Sequence, residues 1–493
     1  MHKKKAIVIG AGIAGIATAI RLSAAGVIVH VYEQNTYPGG KLSEMNLGDY
    51  RFDCGPSLFT MPQFVEELFE LCGKKATSHF SYIKKDVICN YFYDDGLKFK
   101  AYSDKEKFAQ EAARVFDDEA ASVQRYFQRS QLKYNLTASL FLEKSLHKVS
   151  TYISRDTLKS IAQLQKLNIN TTLNAYNERS FKDPKLVQLF NRFATYNGSS
   201  PYKTPGIMSM IPHLEQHYGT FFPSGGMYSI TKSLYDLATD VGVKFHFSSS
   251  VERILTQKNK AYGIVVDNQA VNGDMIISNM DIVPTYKKLL QKHVAPEKIL
   301  QQERSSSALI FYWGIKKKFP ALDLHNIFFA KEYKKEFDAI FENNTIAKDP
   351  TIYINITSKH ESKDAPSDSE NWFVMVNAPG NTGQNWEDII LETKANIISK
   401  LNRILKIDLA SLIEEEAVLD PSTIESTTQS YQGSLYGAAS NDKFAAFLRH
   451  PNFSRKIKHL YFCGGSVHPG GGIPLCLLSA KITTDIIQKD YKL

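Results

Sequence analysis

The chain has 493 residues, 43% hydrophobic and 22% charged, with 59 Lys and Arg against 51 Asp and Glu, a formal net charge of +8. An apolar fraction near the globular mean excludes wholesale disorder, a collagen-like rod and a small disulfide scaffold, and at about 150 residues per domain the length suits roughly three domains. The surplus charge contains no block of six like residues; it favours anionic surfaces such as lipid headgroups and gives no reason to expect a nucleic-acid partner.

The chain opens on His2-Lys3-Lys4-Lys5 and the uncharged run Ala6 to Ile20, the outline of a signal peptide. Glycines at 10, 12 and 15 weaken an inserted helix, the run is too short to span a bilayer, and a second apolar strand, Val27 to Tyr32, follows. Read as structure the segment is coherent. Ala6 to Ile9 predicts a buried strand, and Gly10-x-Gly12-x-x-Gly15 turns into a helix whose apolar face carries Ile13, Ile16, Ala17, Ile20 and Ala24. Gly26 ends that helix, and Glu33 sits at the tip of the returning strand, 23 positions after Gly10. Gly10 permits the tight turn, Gly12 lets a pyrophosphate approach the backbone, and Gly15 lets helix and strand pack closely. The helix N-terminus offers free N–H groups to phosphate, and Glu33 can accept from a ribose diol. The acid disfavours NADP, whose extra phosphate it would repel.

Between FAD and NAD, the next segments decide. Tyr37-Pro38-Gly39-Gly40-Lys41-Leu42 and Phe52-Asp53-Cys54-Gly55-Pro56-Ser57 follow directly. A second glycine pair with a basic residue suits the long body of FAD, which needs further close backbone passes; an NAD enzyme would normally enter another strand–helix repeat.

Thr60-x-x-Gln63 reads as a capping box for a helix burying Phe64, Val65, Leu68 and Leu71, and Val87 to Tyr102 reads as a β-hairpin about Asp94-Asp95-Gly96. From about Lys105 to Leu214 the pattern is helical and amphipathic. Phe222 to Met227 and the helix Ser229 to Val241 restore nucleotide-domain character, followed by short strands at 243–247, 251–255, 261–266 and 275–277. Strands at 309–313 and 352–356 with a charged helix, Trp386 to Ile404, predict a second sheet. Near the C-terminus, the apolar strand ending at Cys463 runs into five glycines between 464 and 472, then a helix from Leu475 to Gln488. That density fits backbone pressed against a flat ring system. The expected fold class is α/β: a Rossmann-like FAD-binding domain from 1–104, 222–300 and 430–493, a helical region at 105–221, and a mixed-sheet α+β substrate domain at 301–429.

Five cysteines (Cys54, Cys72, Cys89, Cys463 and Cys476), with no CxxC pair, read as reduced thiols. His213 and His217 have a metal-like spacing, but no carboxylate follows His213 directly, so no metal is expected.

Taken together, these segments resemble the bacterial phytoene-desaturase type of carotenoid desaturase, within the flavin amine oxidase superfamily. The resemblance covers essentially the whole chain. It rests on the N-terminal fingerprint with Glu33, Pro38-Gly39-Gly40-Lys41, Asp53 to Ser57, Phe222 to Met227, Ile277-Ser278-Asn279-Met280-Asp281, Tyr431 to Gly437, and His468 to Pro474. It implies a non-covalent FAD and a long polyene substrate. The implied cofactor contacts are Gly10, Gly12, Ile13, Ala14 and Gly15; Glu33 and Gln34; Gly40, Lys41 and Leu42; Gly55, Pro56, Ser57 and Leu58 near the flavin; Val251 on the adenine side; Asn279; and Gly464, Gly465, Gly471, Gly472, Ile473 and Pro474. Lys41 stands where the family more often has Arg, which keeps charge but loses the bidentate fork. Within the family, the overall likeness is to the hydroxycarotenoid 3,4-desaturases.

Removing two hydrogens beside a polyene needs no activated Ser, Cys or metal, since the cofactor carries the hard chemistry and the protein supplies position and dryness. An apolar tunnel ending over the flavin follows. No catalytic side chain is singled out; His468 is the one candidate base. A bilayer-borne substrate implies a cytoplasmic protein seated peripherally on the membrane, with Leu136 to Ile153 and Ile207 to Leu214 as an interfacial patch or, equally, as core. Two rivals remain open: a phytoene desaturase or other flavin oxidase of the superfamily acting on an amine, porphyrinogen or retinoid, and a non-enzymatic lipid carrier like the GDP-dissociation inhibitors. Oligomeric state leaves no mark in the sequence.

Overall fold

The computed structural model describes residues 3–138, 147, 167–442 and 448–493. Its first layer is a five-stranded, wholly parallel sheet in the order Leu460–Phe462, Met275–Ser278, Lys5–Ile9, Ile28–Tyr32, Lys244–His246. Side chains alternate across a strand, and Lys5–Ile9 uses both faces. Ala6 and Val8 join the core under the first helix, Ile13–Ala24, and the last helix, Ile473–Tyr491. Ile7 and Ile9 face a separate core with Ile254 and Ile264 of a three-stranded antiparallel sheet. Strands from positions 5 and 460 thus meet in one sheet, bringing the two ends of the chain together.

The second layer is a seven-stranded sheet ordered Ile413–Leu419, Ser307–Ile315, Glu370–Ala378, Ile352–Ile356, His325–Phe328, Val87–Phe92, Lys98–Tyr102. All pairs are antiparallel except His325–Phe328 with Val87–Phe92. Phe311, Trp313, Trp372 and Val374 pack on one face under the helix Trp386–Leu405, whose Ile397 and Leu401 are fully buried. The hairpin Val87–Tyr102 falls inside the stretch 1–104 expected in the cofactor layer, yet it completes this second sheet. Its buried strand finds a parallel partner in His325–Phe328, a pairing between distant segments that local pattern does not encode.

Helices Lys105–Val115, Ala120–Thr137, Leu173–Glu178 and Pro184–Asn191 enclose an aromatic core of Phe108, Tyr126, Phe127, Phe181 and Phe190. Asp104 and Asp183 cap two of them by accepting from Lys107 and Lys185 backbone N–H groups. Tyr91, Phe99 and Phe329 belong to the same core, so this region closes the hairpin end of the seven-stranded sheet.

Three local expectations change. The helix Gln63–Leu71 has Pro62 at its N-cap and no side-chain cap, so Thr60 and Gln63 form no capping box. It buries Val65, Leu68 and Phe69, whereas Leu71 is 47% exposed. The segment Ile207 to His213 is core: Ile207, Met208 and Ile211 pack with the aromatic cluster, which removes it from any interfacial patch. Leu136 to Ile153 lies mostly outside the described residues. Among the described residues no helix is long and apolar enough to cross a membrane.

Candidate functional site

Where strand Lys5–Ile9 ends, Gly10 takes φ +96 and Gly12 becomes the N-cap of the first helix without a side-chain cap. A Cβ on Gly15 would sit 2.2 Å from the Gly10 carbonyl oxygen, and one on Gly12 would sit 2.7 Å from Asn279 Nδ2. Gly15 is therefore enforced by backbone packing, and at Gly12 a side chain would displace the Asn279 amide. Glu33 is 6% exposed; its Oε2 accepts from Ala11 N–H at 2.7 Å and its Oε1 from Asn35 N–H at 2.9 Å. These bonds hold the carboxylate against the glycine turn.

The next segment folds back onto that turn. Gly39 N–H donates to Ala11 O at 2.8 Å, and Gly40 approaches Gly12 closely. Lys41 Nζ donates to Ser434 O at 2.8 Å and Leu435 O at 3.0 Å. Burial pushes this amine down to about 8, partly offset by Asp281. Arg304 pairs with Asp281 and donates to Ser434 Oγ.

From the other end of the chain come Gly464, whose added Cβ would meet Asn279 Oδ1 at 2.8 Å, and Gly471, blocked by Tyr436 Cα at 2.8 Å. Gly472 has φ +99, caps the last helix without a side-chain bond, and has open space where a Cβ would stand. Asn279 therefore lies between the first glycine turn and the last, touching both.

One cavity of about 1060 Å³ joins these parts. It is lined by Gly10, Gly12, Ile13, Ala14, Glu33, Gln34, Gly40, Lys41, Leu42, Gly55, Pro56, Ser57, Leu58, Val251, Asn279, Gly464, Gly465, Gly471, Gly472, Ile473 and Pro474. Gly15 alone of the expected residues stands behind the lining, where its role is helix–strand packing. Two helix N-termini without side-chain caps open on this space with their first-turn N–H groups unused by side chains, a donor set that suits phosphate. The volume exceeds the about 300–1,000 Å³ typical of a single small ligand. The cradle fits a dinucleotide with room beyond it.

That further room is floored by the seven-stranded sheet. Register aligns Leu419, Ile310, Met375, Tyr353 and Ile327 as a row across five strands, all facing the cavity. Within this apolar row lies a polar chain: Ser57 Oγ is 2.8 Å from Tyr353 OH, which is 2.7 Å from His325 Nδ1. Burial depresses His325 to about 3, so its ring is neutral at ordinary pH. Also lining the cavity, Arg192 contacts Glu215 at 3.4 Å and lies 5.2 Å from the Tyr196 ring centre. Burial alone would lower Arg192, but Tyr91 and Glu215 hold it above its ordinary value; burial raises Glu215 against the pull of Arg192.

Sequence reasoning missed Arg192, Glu215, His325 and Tyr353. The available signal was polar residues at alternate positions of an apolar strand, Thr351, Tyr353 and Asn355, which places all three on one face. His468, the candidate base, is buried with its ring edge-on to His147 and does not line the cavity. His213 and His217 simply stack, 4.6 Å between ring centres.

A parallel glycine-cradle layer sharing one cavity with a mixed second sheet suits a flavin dinucleotide, and the family match makes the chain a flavin-dependent oxidoreductase. The pattern for flavin containing amine oxidoreductases matches residues 13–487; the chain belongs to that family, in its carotenoid-desaturase branch, and its cofactor is a flavin. It is 57% identical over 484 residues to the 1-hydroxycarotenoid 3,4-desaturase of Flavobacterium sp. (strain P99-3), covering 98% of this chain and 99% of that one. It is 31% identical over 501 residues to the 4,4'-diapolycopene oxygenase of Methylomonas sp, covering 99% of each. Among solved structures, putrescine oxidase bound to putrescine shares the fold with a TM-score of 0.63 at 13% identity, covering 98% of this chain and 99% of that one.

Proposed function

We propose that this chain is an FAD-dependent carotenoid desaturase that acts on a 1-hydroxycarotenoid and introduces the 3,4 double bond. The observation that carries the reading is the single cavity in which the glycine cradle opens directly onto a mostly apolar sheet floor. Near-complete coverage at 57% identity by a protein of that named activity selects the polyene over an amine, porphyrinogen or retinoid. Retention of Glu33 and of the glycine-dense 464–472 loop argues for a flavin enzyme over a lipid carrier.

In this reading Glu33 receives the ribose, the N-termini of the first and last helices receive the pyrophosphate, and Gly55 to Leu58 with Gly471 to Pro474 border the ring. FAD supplies the two-electron acceptor for a hydride. The Leu419–Ile327 row holds the substrate's chain extended and keeps water out. One carbon of the reacting bond gives up a hydride and its neighbour a proton, leaving a C=C bond. A polyene dissolved in a bilayer requires the enzyme to work at a membrane surface, to which its net positive charge adds a mild attraction. Coexpression with a panel of hydroxylated and unhydroxylated carotenoid precursors, followed by pigment chromatography, tests the reading. A 3,4-desaturated hydroxycarotenoid supports it; no new pigment from any precursor overturns it.

A further inference from the structure

Forming the double bond releases a proton as well as a hydride, and the flavin takes only the hydride. The proton leaves the carbon beside the one that gives the hydride, about 1.5 Å away along the chain. Its acceptor must therefore stand where the substrate meets the ring, at the border assigned to Gly55 through Leu58. Ser57 in that segment keeps exposed surface, as does Tyr353 on the sheet floor, and both line the cavity.

The direction of the hydrogen bonds here can be worked out. Asn355 Nδ2 donates to Leu324 O at 3.0 Å, which fixes the amide orientation; the same nitrogen lies 3.2 Å from His325 Nδ1. Nδ1 therefore accepts, and the ring proton sits on Nε2. Tyr353 OH, 2.7 Å from Nδ1, gives its only hydrogen to it, so Ser57 Oγ, 2.8 Å from Tyr353 OH, is the donor of that pair. Every hydrogen in the chain Ser57–Tyr353–His325 points toward the imidazole. Ser57 Oγ accepts no hydrogen bond among the described residues, so its lone pairs are unused at the cavity end. A chain with all its donors turned one way moves a proton inward without first rotating a hydroxyl.

We propose that Ser57, Tyr353 and His325 form the proton acceptor of the reaction, with Ser57 Oγ as the atom that meets the substrate. As the hydride and its electron pair pass to the flavin, the neighbouring C–H bond breaks and its electron pair becomes the new C=C bond. Its proton goes to Ser57 Oγ, the Ser57 hydrogen to Tyr353 Oη, and the Tyr353 hydrogen to His325 Nδ1, which ends as an imidazolium. The proton returns to water by the reverse path once the product has left. This inference rests on the desaturase reading above.

Burial first, then Lys85, Arg192 and His360, bring His325 down to about 3 against the pull of Asp323. That basicity is low for an ordinary substrate but ample for this one, because a carbon beside a polyene cation gives up its proton far more readily than an imidazolium does. It also keeps Nδ1 free to accept at ordinary pH. Glu215, a buried carboxylate in the cavity lining, is instead held by Arg192 at 3.4 Å and has no hydrogen bond to the ring-border segment.

The test compares the FAD-loaded wild type with Ser57→Ala, Tyr353→Phe and Glu215→Gln, using a 1-hydroxycarotenoid with deuterium at C3 or at C4 so that the two C–H cleavages are read separately. Ser57→Ala and Tyr353→Phe are expected to lower turnover on the order of 10²-fold. They should also raise the deuterium isotope effect at the carbon that yields the proton. Flavin content and the shift of flavin absorbance on substrate titration should match the wild type. Ser57→Ala leaves the Tyr353–His325 bond in place and carries the test by itself if Tyr353→Phe does not fold. Lower turnover with no rise in isotope effect at either carbon would make these residues structural and overturn the inference. Unchanged turnover in both variants, or a rise confined to Glu215→Gln, would overturn it as well. A wild type that forms no 3,4 double bond would sink the desaturase reading itself, and the proton acceptor with it.

Discussion

The two halves of the cavity are built by different means. In the proposed reading the cofactor half is backbone: Gly12, Gly464 and Gly471 are places where a single added carbon would strike Asn279 or Tyr436. The half proposed for the substrate is side chain: a row of Leu419, Ile310, Met375, Tyr353 and Ile327 drawn from five strands, with Arg192 and Glu215 supplied by the helical region. A dinucleotide presents the same phosphates and ring to every enzyme that uses it, so its cradle is fixed by close approach. A substrate surface made of side chains can be retuned one residue at a time without moving the backbone. The same scaffold can therefore keep its cofactor while changing what it oxidises.

The contrast separates the expected effects of substitution. Glu33→Arg reverses charge at the glycine turn and should weaken FAD binding by about 2–5 kcal/mol. Purified protein should lose its flavin absorbance yet keep its circular dichroism spectrum. Stoichiometric flavin in that variant would remove Glu33 from the cofactor half.

Tyr353→Phe acts in the other half. It unlinks Ser57 from His325 and should cost about 1–3 kcal/mol of stability, seen as a lower melting temperature with FAD still bound. Loss of flavin instead would mean that the two halves are not separable as described.

The smallest effect is in pH dependence. Burial depresses His450 to about 4 from an ordinary 6.5. Between these values the unfolded chain binds a proton that the folded chain does not, so this group's contribution to stability falls as pH drops through that window. His450→Gln, placed where Tyr286 OH and Pro451 O are the neighbours, should narrow its melting-temperature gap to wild type as pH falls from about 6.5 to 4. A gap constant across that range would contradict the depressed value.

The same contrast explains what could be read from the chain before its structure. Gly10-x-Gly12-x-x-Gly15 with Glu33, and the run from Gly464 to Pro474, were legible because close backbone approach demands glycine at fixed spacing. The meeting of the two termini followed from treating both as one cradle. The substrate half was not legible in this way. Tyr353 and His325 are neighbours only because antiparallel pairing sets Tyr353 against Ile327, and Arg192 arrives from a region read merely as helical and amphipathic. The hairpin Val87–Tyr102 is legible as a hairpin but not as the edge of the second sheet, because its partner strand lies more than two hundred positions away. His468 drew attention by adjacency to a glycine motif, and adjacency in sequence did not become adjacency to the cavity.

The central claim is that a cradle made by both ends of the chain holds FAD where the sheet floor presents a hydroxycarotenoid for desaturation. Anaerobic mixing of the FAD-loaded protein with a 1-hydroxycarotenoid tests it most directly, following flavin bleaching and polyene absorbance together. The account predicts one flavin reduced for each double bond formed, with the polyene band moving to longer wavelength at the same rate. Flavin that stays oxidised while the polyene lengthens, or that bleaches without any new double bond, would contradict it.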